Sequence, residues 1–419
     1  MPELTVVVEQ CLAPVPGGTG RYAREITAAL AAAPPPGWRV RTVSAWHREL
    51  GPAVILGADG PHRLPAGHRV LSRLWERGLP PWVSGSSVHA TTPLAPGRRN
   101  PLVVTVHDAV PWTHPETLTA RGVSWHKVMV GRAMARADAV VVPSVAVADD
   151  LAGLFPAAAD RLQVIGHGVT ALDPPADSRA RRARWNLPER YVLTVATLEP
   201  RKGLDVLIRA MALPASGGAQ LVVVGPTGWG GVDLAAVAAA AGLAPGRWQA
   251  LGRVDDADLA AVLDGAGVLA APSRAEGFGL PVLEAMAAGV PVICSDAPAL
   301  VEVTGGAAVV VRRDDPAALA GAIAGVLGDR LAATELVAKG RSRAAAFSWP
   351  AAAAAVWDLH AGTAPLRDQR AAPDARAASA GAPAAGPAAG AASSGAPSAG
   401  PESAGPESAG AESPVGDAS

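Results

Sequence analysis

Residues 276–284 read Glu276-Gly277-Phe278-Gly279-Leu280-Pro281-Val282-Leu283-Glu284. Two carboxylates flank a glycine-containing turn that runs into a proline. Proline is favoured in the first turn of a helix, where its missing N–H leaves no bond unmade. Pro281 is therefore expected to open a helix that runs on through Met286 and Ala288 and stops at Gly289. Glu284 then falls in the first helical turn and Glu276 on the loop before it. The amides of Phe278, Gly279 and Leu280 are left free at the helix N-terminus, where a phosphate or a sugar oxygen is welcome. Carboxylates suit the hydroxyls of a nucleotide sugar, because each oxygen accepts two hydrogen bonds.

Outward from this stretch, short valine-rich runs alternate with helix-like segments. One series occupies 4–8, 38–43, 88–90, 102–107, 139–143 and 161–165; a second occupies 191–196, 220–225, 248–251, 267–270, 291–294 and 307–311. Nearly continuous apolar character marks parallel strands buried on both faces with helices between them. The expected class is α/β, with two Rossmann-like, doubly wound parallel-sheet domains at 1–170 and 191–346. They would face a cleft, with ligands at the carboxyl ends of the strands. Residues 171–190, with Asp173-Pro174-Pro175 and a basic run at Arg179, Arg181, Arg182 and Arg184, read as the linker between them. Residues 347–362 read as a last helix, with Ser348 as its N-cap. Residues 363–419 are mostly Ala, Gly, Pro and Ser, too poor in apolar bulk to offset ordering entropy, and are expected to be a disordered tail.

The chain has 419 residues and a net charge of −1, which points to no nucleic-acid partner. Cys11 and Cys294 are too few and too far apart for a disulfide framework, which fits a reduced, cytoplasmic compartment. No basic leader precedes the short apolar run at 4–8, and no run has the length of a membrane span. Two basic helical stretches stand out. Arg69, Arg73 and Arg77 recur every four residues. Arg121, Lys127, Arg132 and Arg136 surround Trp125, with no acid from Thr117 to Ala137. They are either solvated helix faces or a docking surface for an anionic membrane or a lipid-diphosphate acceptor.

Four further segments carry chemistry. Arg201-Lys202 follows the first strand of the second series; two cations there could hold a diphosphate leaving group. The alternative is a solvated basic turn. His107-Asp108 ends an apolar strand at the cleft edge, where a histidine is either structural or a ligand contact. Gly17-Gly18-Thr19-Gly20-Arg21-Tyr22 follows the first strand, and its glycines let backbone amides approach a ligand. It also fits the dinucleotide fingerprint, but the glycines come about ten residues after Val8 and no ribose-binding acid follows the second strand. Leu251-Gly252-Arg253-Val254-Asp255-Asp256 closes another strand. Asp256 and Asp258 look like a metal-binding pair, yet acids at a helix start are favoured by its positive end, and that is the reading taken.

As an ordered set over residues 1–362, these segments resemble retaining glycosyltransferases of family 4, which have the GT-B fold. Glu276 and Glu284 match the family's E-x7-E signature. Ala196-Thr197-Leu198-Glu199-Pro200-Arg201-Lys202-Gly203 is similar to its Gly-Thr-Leu-x-Pro-Arg-Lys-Asn phrase, with Ala196 and Gly203 as mild departures. His107-Asp108 with His114-Pro115-Glu116 resembles its His-Asp segment. The resemblance implies transfer of a hexosyl group from a nucleotide sugar to a saccharide or lipid-linked acceptor, without a metal or other cofactor. It implies that Arg201 and Lys202 stabilise the departing diphosphate and that His107 contacts the sugar. Glu276 and the Phe278, Gly279 and Leu280 amides would fix the donor sugar, and Glu284 would hold the ribose. Arg253 and Val254 would receive the base, and Gly17, Gly18, Thr19, Gly20 and Arg21 would face the diphosphate and the acceptor. The His-Asp and Pro-Arg-Lys variants resemble bacterial mannosyltransferases of polysaccharide assembly, which suggests GDP-mannose and a site at the inner face of the plasma membrane. A catalytically silent binding or assembly subunit and a dinucleotide-dependent oxidoreductase are the alternatives.

Overall fold

The computed structural model describes residues 1–97 and 99–361; the expected disordered tail at 363–419 lies outside the described residues. The first sheet has seven strands: β1 (Glu3–Val7), β2 (Arg39–Trp46), β3 (Asp59–Gly67), β4 (Ser87–Ala90), β5 (Leu102–Thr105), β6 (Ala139–Val142) and β7 (Leu162–Val164). Their spatial order is 3-2-1-4-5-6-7, and every pairing is parallel. The second sheet has six: β8 (Tyr191–Val195), β9 (Leu221–Val224), β10 (Trp248–Gly252), β11 (Ala266–Ala271), β12 (Val292–Ser295) and β13 (Val309–Val311). Its order is 10-9-8-11-12-13, again all parallel.

The expected α/β class with two doubly wound sheets is what the chain adopts. Strands β1, β4, β5, β6, β9 and β12 are buried along their whole length, and β6 and β9 accordingly read as unbroken apolar runs. Strand β3 was not expected. It carries Pro61 and Pro65 with Asp59, His62 and Arg63, buries only Leu64, and occupies the sheet edge, where a missing N–H removes no ladder bond. Each sheet reverses direction once, between β1 and β4 and between β8 and β11. A crevice opens outside the strand ends at such a reversal.

Within the stretch expected as linker, Ser178–Arg184 is helical. Its basic run is not a free charge cluster. Arg181 and Arg184 both pair with Asp258, and Arg182 with Asp264, on the helix Asp256–Gly265. Asp256 opens that helix, and the Asp255 carboxylate caps it by accepting from Asp258 N at 2.7 Å.

The last described helix, Trp349–Ala361, has Ser348 Oγ accepting from Ala351 N. It packs along the helix Gly17–Ala32, with Trp357 Nε1 donating to Leu30 O at 3.1 Å. One apolar cluster runs without a break from Leu4, Val103 and Val141 of the first sheet to Leu193, Leu269 and Val292 of the second. Tyr22, Phe278, Trp349 and Trp357 join it between the two sheets, so the halves share a core beneath the cleft.

Candidate functional site

Glu276 leaves the carboxyl end of β11, and Arg201 and Lys202 form a short turn after β8. These two strands flank the reversal of the second sheet, so residues 74 and 75 positions apart meet there. Lys202 Nζ donates to Glu276 Oε1 at 2.6 Å and Arg201 Nη1 to Oε2 at 3.3 Å, while Ser273 Oγ adds a third bond at 2.8 Å. Burial pushes the Glu276 carboxyl up, but Lys202 and Arg201 outweigh it and hold it down to about 2. Arg201 also donates to Glu199, which is 3% exposed. Burial raises the Glu199 pKa, against the opposing pull of Arg201 and Lys202. The pair of cations therefore faces a matching pair of carboxylates and is fixed in place before any ligand arrives.

Gly277 presses against the first half of the molecule. A Cβ there would lie 1.7 Å from His107 O, and Ser144 Oγ donates to Gly277 O at 2.8 Å. Only a glycine lets the loop come this close. Phe278 is buried, with its ring 5.6 Å from Phe347 and 4.5 Å from His167. The helix begins at Leu280 and ends at Ala288, with Gly289 in the left-handed region. The amides of Phe278, Gly279 and Leu280 donate to no described acceptor. Glu284 is the fifth helical residue, one position further in than a helix opening at Pro281 would place it. It is 4% exposed, and its Oε1 has no hydrogen-bond partner. Arg21 Nε lies 3.3 Å from that oxygen, in charge contact but out of line for a hydrogen bond. Burial raises the Glu284 pKa; Arg21 lowers it, and Asp256 and Glu25 raise it further.

The glycine run forms the first turn of the helix Gly17–Ala32. Gly20 N bonds Pro16 O, and a Cβ on Gly20 would lie 2.3 Å from Pro16 Cβ. This turn opens on the second half of the chain: a Cβ on Gly18 would reach Leu280 at 3.8 Å. Gly17, Gly18 and Thr19 thus present a helix N-terminus to the same space as the amides of 278–280.

His107 follows β5 and is half-buried. Its Nε2 donates to Thr91 O at 2.9 Å, which leaves Nδ1 as an acceptor in the neutral ring. Burial lowers its pKa, against Thr91 and Asp108. Tyr22 packs edge-on to His107 at 4.8 Å and is itself held by a bond from its hydroxyl to Thr105. Arg253 and Val254 form the rim after β10.

The Gly17–Arg21 turn, His107, Arg201, Lys202, Arg253, Val254, Glu276, the 278–280 segment and Glu284 line one cleft of about 1650 Å³ between the two sheets. The opposite wall adds groups that the sequence did not reveal. Glu9, 4% exposed, accepts from Ala45 N, His47 Nε2 and His68 Nδ1 at 2.7, 2.8 and 2.8 Å. These four residues come from the carboxyl ends of three adjacent strands, β1 to β3, and no local spacing announces them. Arg69, Arg73, Arg121 and Trp125 line the same wall, so part of the basic surface belongs to the cleft. Arg121 pairs with Glu76, and Trp125 Nε1 donates to Ser72. His167, in the segment that leaves β7, packs on Tyr22, His107 and Phe278 with both ring nitrogens unpartnered.

Comparison with known proteins adds the following. A family model described as Glycosyltransferase Family 4 matches residues 16–171, and one described as Glycosyl transferases group 1 matches 177–343. The chain is 31% identical over 266 residues to O-antigen chain mannosyltransferase B of Escherichia coli, covering 61% of this chain and 68% of that protein. It is 32% identical over 262 residues to D-inositol 3-phosphate glycosyltransferase of Nocardia farcinica, covering 58% of each. The structure of Anabaena HepE in complex with UDP and glucose superimposes with a TM-score of 0.68 at 19% identity, over 86% of this chain and all of that one. That likeness is one of fold.

Proposed function

The chain belongs to glycosyltransferase family 4, and from that premise we propose that it is a retaining, metal-independent hexosyltransferase acting on a nucleotide sugar. The observation that carries this reading is the meeting of Arg201, Lys202 and Glu276 at the reversal of the second sheet. They lie in one cleft with Glu284 and two free helix N-termini.

In this reading the diphosphate of the donor lies between Lys202, Arg201 and the amides of Gly17 to Thr19. Charge grows on its leaving oxygen as the C1–O bond breaks, and prepositioned cations favour that state over the ground state. Glu276 holds the two cations and accepts from sugar hydroxyls; the 278–280 amides complete the grip. His107 Nδ1 accepts a sugar hydroxyl from the other side. Glu284 accepts the vicinal ribose hydroxyls, and Arg253 and Val254 border the base. The acceptor oxygen attacks C1 on the face the diphosphate leaves, and a phosphate oxygen takes its proton. The cations provide the charge that a metal would otherwise supply.

The donor we favour is GDP-mannose, supported by the His107-Asp108 and Pro200-Arg201-Lys202 segments and by the name of the Escherichia coli relative. The acceptor is a saccharide or lipid-linked saccharide seated against the Arg69, Arg73 and Arg121 wall. Its pathway is polysaccharide assembly, at the inner face of the plasma membrane. No single described helix is long and apolar enough to cross a membrane, so contact would be peripheral, through the exposed arginines. The test is a thermal-shift and hydrolysis panel of GDP-, UDP-, ADP- and dTDP-sugars. One donor should raise the melting temperature and be hydrolysed slowly. Stabilisation without hydrolysis or transfer would favour the silent subunit, and stabilisation by NAD(P) alone the oxidoreductase.

A further inference from the structure

Arg21 is the fifth residue of the helix Gly17–Ala32, in the first half of the molecule. Its guanidinium crosses the cleft. Nη2 pairs with Asp256, the first residue of the helix Asp256–Gly265, and Nε lies 3.3 Å from Glu284 Oε1 in the helix Leu280–Ala288. Both partners belong to the second half. Arg21 is mostly covered, its side chain 22% exposed, whereas Asp256 is 68% exposed. Glu284 is the more consequential partner. A buried carboxylate is expensive unless it is paired and hydrogen-bonded, yet its Oε1 accepts no hydrogen bond here. An orphaned buried acceptor aimed into a cleft waits for a donor group. The cation that sustains its charge comes from the opposite wall.

We infer that Arg21 is a positioning residue for the nucleotide. It holds Glu284 ionised and aimed, so that the carboxylate presents two acceptors to a vicinal diol only when both halves of the molecule are together. This rests on the reading of Glu284 as the ribose residue. A protonated Glu284 would offer one acceptor oxygen and one O–H, a poorer match to two hydroxyl donors. The charged groups facing Glu284 are Arg21 and Glu25 from the helix Gly17–Ala32 and Asp256 from the helix that follows β10. On the far side of its own helix the contact is Gly340 against Met286, and Arg341 lies at Gly289. Among the described residues, Arg21 is thus the one cation of the groups that set the Glu284 charge, and without it two acids and burial all favour protonation.

The test compares the affinities of a ribonucleoside diphosphate and its 2′,3′-dideoxy form by calorimetry from pH 5.5 to 8.5, using the base chosen by the donor panel. Taking the ratio cancels any direct contact between Arg21 and phosphate. The unmodified protein should prefer the ribo form by roughly 10- to 100-fold, as for charged hydrogen bonds, and any fall of the ratio on acidification should come at lower pH than in Arg21→Met. Arg21→Met should reduce the ratio to a few-fold at low pH, with recovery as pH rises. Arg21→Lys, which keeps the charge and guards against a folding defect in the Met variant, should keep most of the preference across the range. An Arg21→Met ratio equal to that of the unmodified protein at every pH overturns the inference. Equal binding of ribo and dideoxy forms by the unmodified protein instead overturns the ribose reading of Glu284.

Discussion

Acidification from pH 7.5 to 5.5 should destabilise the fold through histidines that the interior keeps neutral. His89, His360 and His167 are 0%, 8% and 5% exposed. Burial, with the nearby His107, holds His89 down to about 3. Burial likewise places His360 and His167 well below the usual histidine range, helped by His89 and His107 respectively. In the unfolded chain each titrates near 6.5. The folded pKa is depressed, so the unfolded state binds more protons once the pH drops below that value, and stability falls with it. Between pH 7.5 and 5.5 each site contributes a loss of about 1.4 kcal/mol, or roughly 4 kcal/mol for the three. That is a large share of a typical total of about 5–15 kcal/mol. His107, also lowered by burial, acts in the same direction. His68, raised by its bond to Glu9, opposes them, but its side chain is more than half exposed and its share is small. Glu9 itself, held low against burial by His68 and His47, loses stability only below the unfolded glutamate range and lies outside this window. Urea unfolding followed by tryptophan fluorescence reads the effect. At an m-value of about 3 kcal/mol/M the midpoint should fall by roughly 1.3 M. His167→Phe removes one site with no hydrogen bond to lose and should reduce the pH slope by about a third. A midpoint that stays constant over this range, or a slope untouched by His167→Phe, would refute the reasoning.

Further outcomes follow from single contacts. Lys202→Ala should lower kcat by roughly 10² or more, as for loss of an oxyanion donor. Glu276→Ala should also lower kcat, because it releases Lys202 and Arg201 as well as the sugar, whereas Glu284→Ala should chiefly raise the donor KM. Steady-state kinetics separate the three. Gly277→Ala drives a methyl into His107 O and should abolish transfer while nucleoside diphosphate binding, read by calorimetry, is weakened but not lost. Trp357→Ala should destabilise the fold by about 3–5 kcal/mol, seen as a lower urea midpoint, since the indole is 4% exposed and bonds Leu30 O. Replacing Arg69, Arg73 and Arg77 by Ser should weaken co-sedimentation with anionic vesicles at low salt. If the unmodified protein ignores such vesicles, the membrane proposal fails.

Much of the architecture was legible because buried parallel strands announce themselves as unbroken valine-rich runs, such as Leu221–Val224 and Ala139–Val142. Strand β3 was not, because an edge strand tolerates the prolines and polar residues that normally exclude a strand. The helix at Gly17 ran against glycine's low helix propensity; close packing on Pro16 selects the small residue at Gly20 and the helix starts there regardless. Individual site residues could be named from their motifs, but not their partners. Arg201 and Lys202 meet Glu276 only because strand order places β8 beside β11. The bridge from Arg21 to Glu284 spans two sheets and has no local signature. The Glu9, His47 and His68 cluster is assembled from three separate strand ends.

The central claim, retaining transfer from a nucleotide sugar, is tested most directly by following the anomeric proton of the released or transferred sugar by NMR. The protein is incubated with the donor that the panel selects, with Lys202→Ala as control. The account predicts that the first product to appear carries the donor's anomeric configuration and that it appears roughly 10² more slowly, or not at all, with Lys202→Ala. A product of inverted configuration, or turnover at an undiminished rate without Lys202, would contradict it.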